Sequence, residues 1–95
     1  MRTVWKFPVD MLTLDAEDRA EVVLPKGARI IHADHQAMTG EAIVMLWAEV
    51  EPTGEEERRA VWVIGTGGQV PDGAEHVVTY QQPPFVWHVY VEPAA

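Results

Sequence analysis

The chain has 95 residues and a formal charge of −8, from 15 acidic against 7 basic side chains. That balance repels nucleic-acid phosphates and anionic membranes, and it either leaves a basic protein as the charge-compatible partner or simply keeps a small protein soluble. No stretch approaches the roughly 20 apolar residues that cross a bilayer, and with no Cys there is neither a disulfide staple nor thiol chemistry. A chain of this length suits one domain, residues 1–95, that buries roughly 65% of its unfolded surface. An apolar content of 47% is enough for a packed core. The start has no long apolar run ending in a small-residue cleavage site, so a cytosolic protein is expected.

In chain order, Arg2 to Val9 reads as a strand, with Trp5 and Phe7 on one face and Val4 and Lys6 on the other. Pro8 lacks an N–H and fits an edge or a strand end. Asp10 to Arg19 is polar and acidic, with room for a short turn of helix. Glu21 to Leu24 is a second strand, and Pro25-Lys26-Gly27-Ala28 a turn in which glycine admits φ > 0. Arg29 to Gln36 is a third strand, Met38 to Glu41 a turn, and Ala42 to Val50 a fourth strand of nine residues without a breaker. Pro52 to Glu55 turns the chain into a fifth strand, Arg59 to Ile64. Gly65 to Gly68 and Pro71 to Gly73 make a long irregular connection. His76 to Gln81 is a sixth strand, Pro83-Pro84 breaks it, and Phe85 to Glu92 is the last. The pattern predicts a mainly β domain of about six or seven mostly antiparallel strands with at most one short helix. If both end strands join a ladder, neither terminus need fray.

The fourth strand is apolar on both faces: Ala42, Val44, Leu46, Ala48 and Val50 on one, Ile43, Met45 and Trp47 on the other. Val61 and Val63 against Trp62 and Ile64 repeat this on the fifth strand, expected to be its neighbour. One face forms the core. The other needs cover, either from a second copy in a homodimer, the expectation here, or from a second sheet in a sandwich or barrel. Four tryptophans (Trp5, Trp47, Trp62, Trp87) serve as core, but Trp also marks binding hot spots, so Trp47 and Trp62 are candidate partner residues.

Gly65-Thr66-Gly67-Gly68 after a strand can cradle a phosphate with backbone N–H groups, with Arg58, Arg59 and Arg29 as bases that could converge on it. A phosphate loop proper also needs Gly-Lys-Ser/Thr and a helix, whereas Gln69-Val70-Pro71 follows here, so the alternative is a tight bend that requires glycine. Glu49, Glu51, Glu55, Glu56 and Glu57 crowd what reads as one hairpin end, either an acidic patch that imitates DNA or a solvated tip. His32-Ala33-Asp34-His35 places only two potential ligands on one strand face, so no metal and no cofactor is expected. No Ser sits in a nucleophile elbow and no carboxylate pair has a flanking acid–base pattern, so no catalytic residue is assigned and a non-enzymatic protein is expected.

Several phrases occur together: Trp5-Lys6-Phe7-Pro8, Leu24-Pro25-Lys26-Gly27-Ala28, Leu46-Trp47-Ala48, Ile64-Gly65-Thr66-Gly67 and Val86-Trp87-His88-Val89. In combination they resemble a family of small uncharacterised proteins of tailed bacteriophages and prophages. The resemblance implies an accessory protein in the cytoplasm of an infected bacterium, and it carries no catalytic residues. The expected function is binding of a host protein to modulate host physiology or defence. The alternatives are a binder of a nucleotide signal through the glycine loop and nearby aromatics, and an acidic DNA mimic.

Overall fold

The computed structural model describes residues 1–35, 42–52 and 54–94. The turn expected at 38–41, Gln36 and Thr53 lie outside the described residues. Seven strands run through the rest: β1 (Thr3–Asp10), β2 (Arg19–Pro25), β3 (Arg29–His35), β4 (Ile43–Val50), β5 (Glu56–Gly65), β6 (Glu75–Gln82) and β7 (Phe85–Val91). All pairings are antiparallel, in a three-stranded sheet ordered β1-β4-β3 and a four-stranded sheet ordered β2-β5-β7-β6. The mainly β, single-domain reading of the sequence is the fold that forms.

Alternation explains how the layers meet. Val44, Leu46, Ala48 and Val50 of β4 are buried, and so are Val61 and Val63 of β5, Val89 and Val91 of β7, and Val22 and Leu24 of β2. These belong to one core cluster, so the inner rows of the two sheets face each other as a sandwich. Side chains this deeply buried each contribute about 1.5–3 kcal/mol over an exposed position. Phe7 and Ala33 flank Leu46 from the two neighbouring strands.

Two expectations need correction. β4 and β5 are not partners: β4 lies between β1 and β3, and β5 between β2 and β7. Both carry continuous apolar rows, and their inner rows belong to the core shared by the two sheets, not to one hairpin face. The segment between them therefore crosses from one layer to the other, and Glu49 to Glu57 is not a hairpin tip. The two end strands sit in different sheets. β1 joins the three-stranded sheet and β7 the four-stranded one, so each is held in a ladder separately.

The expected helical turn is a 3-10 turn at Met11–Thr13, capped by Asp10, whose carboxylate accepts from the Leu12 N–H at 2.9 Å. Gly27 holds φ +80° in the turn between β2 and β3, where Ala28 N–H donates to Pro25 C=O at 3.1 Å. Pro83 and Pro84 form the β6–β7 turn, and the bond between them is cis. Among the described residues no helix is long and apolar enough to cross a membrane.

The cover for the second faces is only partly a second sheet. The sandwich buries one face of each sheet, and the outer faces remain. On them Met45 and Ile64 are nonetheless buried within the single chain. Trp47 is half-buried beside the His32 ring, centroids 5.8 Å apart. Much of the apolar surface that the homodimer was expected to cover is thus covered within one chain.

Candidate binding face

The register of the four-stranded sheet builds a row that no single stretch of sequence contains. Arg19 of β2 pairs with Trp62 of β5, Trp62 with Tyr90 of β7, and Tyr90 with His76 of β6. Because Val61, Val63, Val89 and Val91 point inward, Trp62 and Tyr90 point out. The His76 ring stands edge-on to Tyr90, centroids 5.2 Å apart. The next row runs Ile64, His88, Thr79. His88 sits in a chain of hydrogen bonds of 2.9 Å each: Thr66 Oγ1 to His88 Nε2, His88 Nδ1 to Thr79 Oγ1, and Thr79 Oγ1 to His76 Nε2. These bonds fix the orientation of the two histidine rings beside Tyr90 on the outer face.

The glycine loop closes one end of that face. Gly68 N–H donates to Gly65 C=O at 2.9 Å, and Gly67 has φ +95°. A Cβ at Gly68 would lie 2.5 Å from Ile64 Cγ2 and 3.1 Å from Gly65 O, so the backbone rests directly on Ile64, which is 1% exposed although it points outward. The loop is thus a packing element over an apolar side chain. A recess of about 190 Å³ remains between it, His88 and Tyr90. As a phosphate cradle it is poorly equipped: one amide is used internally and the Thr66 hydroxyl is engaged by His88.

The arginines expected beside it do not converge there. Arg58 points out of β5 six residues before Ile64, about 20 Å back along the strand at ~3.3 Å per residue, where it meets Glu21 at 3.9 Å. Arg59 points inward and is 4% exposed. Its guanidinium lies 3.5 Å from Glu57, and it donates to the carbonyls of Ala28 and Glu92. That set ties the start of β5 to the β2–β3 turn and the end of β7, which is a structural task. Arg29 is on β3, 3.5 Å from Glu49.

The acidic patch is likewise interleaved with cations. Glu49 meets Arg29, Glu51 the Met1 amino group at 3.7 Å, Glu55 meets Lys26 at 3.5 Å, and Glu57 meets Arg59. Among the described residues only Glu56 of the five has no ion pair. A cleft of about 720 Å³ opens at this end of the sandwich, and Arg2, Lys26, Arg29, Arg59, Glu49 and Glu75 are among its lining. Most of its charge is matched in place.

A second recess, about 450 Å³, adjoins Trp62 on the outer face, lined by Glu17, Asp18, Trp62, Gln69, Val70 and Pro71. The turn that carries the two acids is fixed. Asp15 Oδ1 accepts from the Glu17 N–H at 2.8 Å and the Arg19 N–H at 3.1 Å. Asp18 has φ +62°, and its carbonyl accepts from the Val63 N–H at 3.1 Å, directly beside Trp62.

Of the residues singled out from sequence, Trp62, Gly65, Thr66 and Gly67 therefore share one face, and Arg58 lies at its far end. Trp47 is on the outer face of the other sheet, beside His32. Among the described residues, His35, on the inward side of β3, has its Nε2 buried without a hydrogen-bond partner, as is the hydroxyl of Tyr80 on β6. Burial first, and then the charge of Asp34, push the Tyr80 phenol up to about 12. Among the described residues no three of His, Asp and Glu gather at metal-binding distance. The sequence reading missed Tyr90, His88, His76, Glu17 and Asp18. Alternation with Val89 and Val91 marked Tyr90 and His88 as outward, but nothing local said that β7 neighbours β5.

The family model described as a domain of unknown function, DUF7352, matches residues 1–95. No curated protein and no solved structure matches the chain.

Proposed function

The chain belongs along its whole length to the domain family of unknown function DUF7352, and from that premise we propose that it is a non-enzymatic binding protein of a tailed bacteriophage or prophage. It engages a protein of the infected bacterium, in the host cytoplasm, and so modulates host physiology or defence. The observation that carries the binding part is the Arg19–Trp62–Tyr90–His76 row, with two recesses along it and, among the described residues, no further strand layered over it. Rigid aromatic side chains on an uncovered sheet face are what hot spots are made of. The phage context rests on the combination of sequence phrases alone. The nucleotide-signal reading has less support, because among the described residues no Arg or Lys lines the recess at the glycine loop. The DNA-mimic reading has less support too, because cations answer four of its five carboxylates.

Affinity capture from the lysate of a bacterial host tests the reading with three baits: the native chain, Trp62→Ala and Trp47→Ala. A partner retained by the native chain and by Trp47→Ala, but lost by Trp62→Ala, supports the face. Equal retention by all three contradicts it. A small molecule released on denaturing the purified protein would instead favour the nucleotide reading.

The homodimer remains a proposal with a smaller surface than the strand pattern implied. That surface is the end where Phe85, 55% exposed and stacked on Trp87 at 5.4 Å, adjoins Met11, Leu12 and Pro83 around a recess of about 360 Å³. Light scattering that returns the 10.6 kDa monomer mass across a dilution series ends it.

A further inference from the structure

Trp62, half-buried on the outer sheet face, also borders a cavity whose charged lining is acidic. The about 450 Å³ recess between the Asp15–Asp18 turn and the Gln69–Pro71 loop has the size of a specific pocket, about 300–1,000 Å³. Glu17 and Asp18 line it and are exposed, and neither carboxylate has a hydrogen-bond or ion-pair partner among the described residues. They differ in this from Glu49, Glu51, Glu55 and Glu57, each of which has a cation within 4 Å. An indole with two unanswered carboxylates beside it is chemically a receptor for a cation. The ring quadrupole attracts positive charge to its face, and the carboxylates accept the N–H groups. In a chain of net charge −8 the long-range field draws the same sign of partner.

We propose that this recess receives a cationic side chain, best an arginine, from the partner protein that the outer face binds; the inference rests on that reading and names the chemistry of the partner. Arginine fits better than lysine because a planar guanidinium stacks on indole while its edge donates to two carboxylates at once. The site is preformed. The carbonyl of Asp18 is tied to Val63 N–H, one residue from Trp62, and Asp15 holds the turn through two backbone N–H groups. Little ordering is left for the moment of binding. On this inference the partner presents an arginine-bearing segment to the sheet face, with Tyr90 and Val70 as its apolar flanks.

A fluorescein-labelled Arg-Gly repeat peptide and its citrulline counterpart, which keeps the shape and removes the charge, provide the test. Binding is read by anisotropy, and the site by indole N–H shifts in a proton–nitrogen correlation spectrum, with Trp62 assigned from Trp62→Phe. The arginine peptide should bind and shift the Trp62 signal, and the citrulline peptide should not. The double variant Glu17→Gln/Asp18→Asn, in exposed positions that leave the fold intact, should weaken binding about tenfold or more, as loss of charge-assisted contacts over an aromatic does. Glu55→Gln/Glu56→Gln removes the same net charge elsewhere and should change it less than about twofold if contact, not bulk charge, is responsible. Equal losses in the two double variants, or an unmoved Trp62 signal, overturn the inference. So does a captured host protein that is lost with Trp62→Ala but insensitive to Glu17→Gln/Asp18→Asn, an outcome that leaves the binding face itself intact.

Discussion

Replacing Gly68 by alanine tests whether the glycine loop is a packing element. The added Cβ would sit 2.5 Å from Ile64 Cγ2 and 3.1 Å from Gly65 O, the first distance well inside van der Waals contact. Ile64 cannot swing away easily, because a β-branched side chain is stiff at χ1 and this one is 1% exposed. The loop must lift, which breaks the Gly68 N–H to Gly65 C=O bond of 2.9 Å, or the core must shift. Overpacking of this kind costs about 1–3 kcal/mol. At roughly 4–8 °C per kcal/mol for a domain this small, Tm should fall by at least about 4 °C. Gly67→Ala is the comparison. It meets no atom within 4 Å, but at φ +95° it should still cost about 1 kcal/mol through backbone strain. Thermal and urea unfolding followed by circular dichroism measure both. A double-mutant cycle then isolates the contact: on an Ile64→Ala background the colliding methyl is gone, and Gly68→Ala should cost at least about 1 kcal/mol less than in the native chain. An unchanged melting curve for Gly68→Ala, or full additivity with Ile64→Ala, would refute the packing role and reopen the loop as a ligand site.

Neighbouring arginines should behave oppositely. Arg59→Ala leaves Glu57 without its cation and two carbonyls without a donor, and should destabilise by about 3–5 kcal/mol, whereas Arg58→Ala, exposed and 3.9 Å from Glu21, should stay within about 0.5 kcal/mol in urea titrations. Tyr80 has a phenol pKa raised from 10.0 to about 12, chiefly by burial and then by Asp34, so the folded state favours the protonated form. Its contribution is fully present below pH 10 and is lost as pH rises from about 10 to about 12, so Tyr80→Phe should flatten the fall in stability across that window. At neutral pH the same variant removes a buried hydroxyl that has no partner among the described residues and should be neutral or stabilising, as melting curves at pH 7 will show.

Strand positions were legible because turn residues punctuate them. Pro25-Lys26-Gly27, Gly65-Thr66-Gly67 and Pro83-Pro84 each stand where a strand ends. Strand neighbours were not. Val44, Leu46 and Ala48 on one face of β4, and Val61 and Val63 on β5, look alike whether the two strands lie side by side or face each other across a core, because alternation fixes which face a residue occupies and not which strand lies beside it. The same ambiguity hid the candidate face, whose four-residue row draws on positions 19, 62, 76 and 90 and exists only once β7 lies between β5 and β6. Arg58 and Arg59 show another case: the strand read from sequence began at Arg59, and only with β5 extending back to Glu56 does period two send the two adjacent side chains to opposite faces. Glu17 and Asp18 gave no signal in an acidic chain. What sets them apart is their place beside Trp62 in one recess, and that is visible only in three dimensions.

The claim at the centre is that the outer face around Trp62 meets a protein partner. Val70 is 48% exposed at the rim of the Trp62 recess, and Val4 is 52% exposed on the edge strand of the other sheet. Placing a photo-crosslinking amino acid at each position in turn, in bacterial cells that produce the protein, measures contact directly. A discrete crosslinked adduct from position 70, absent from position 4 and abolished by Trp62→Ala, is the predicted result. Adducts from position 4 alone, or from position 70 irrespective of Trp62, would contradict it.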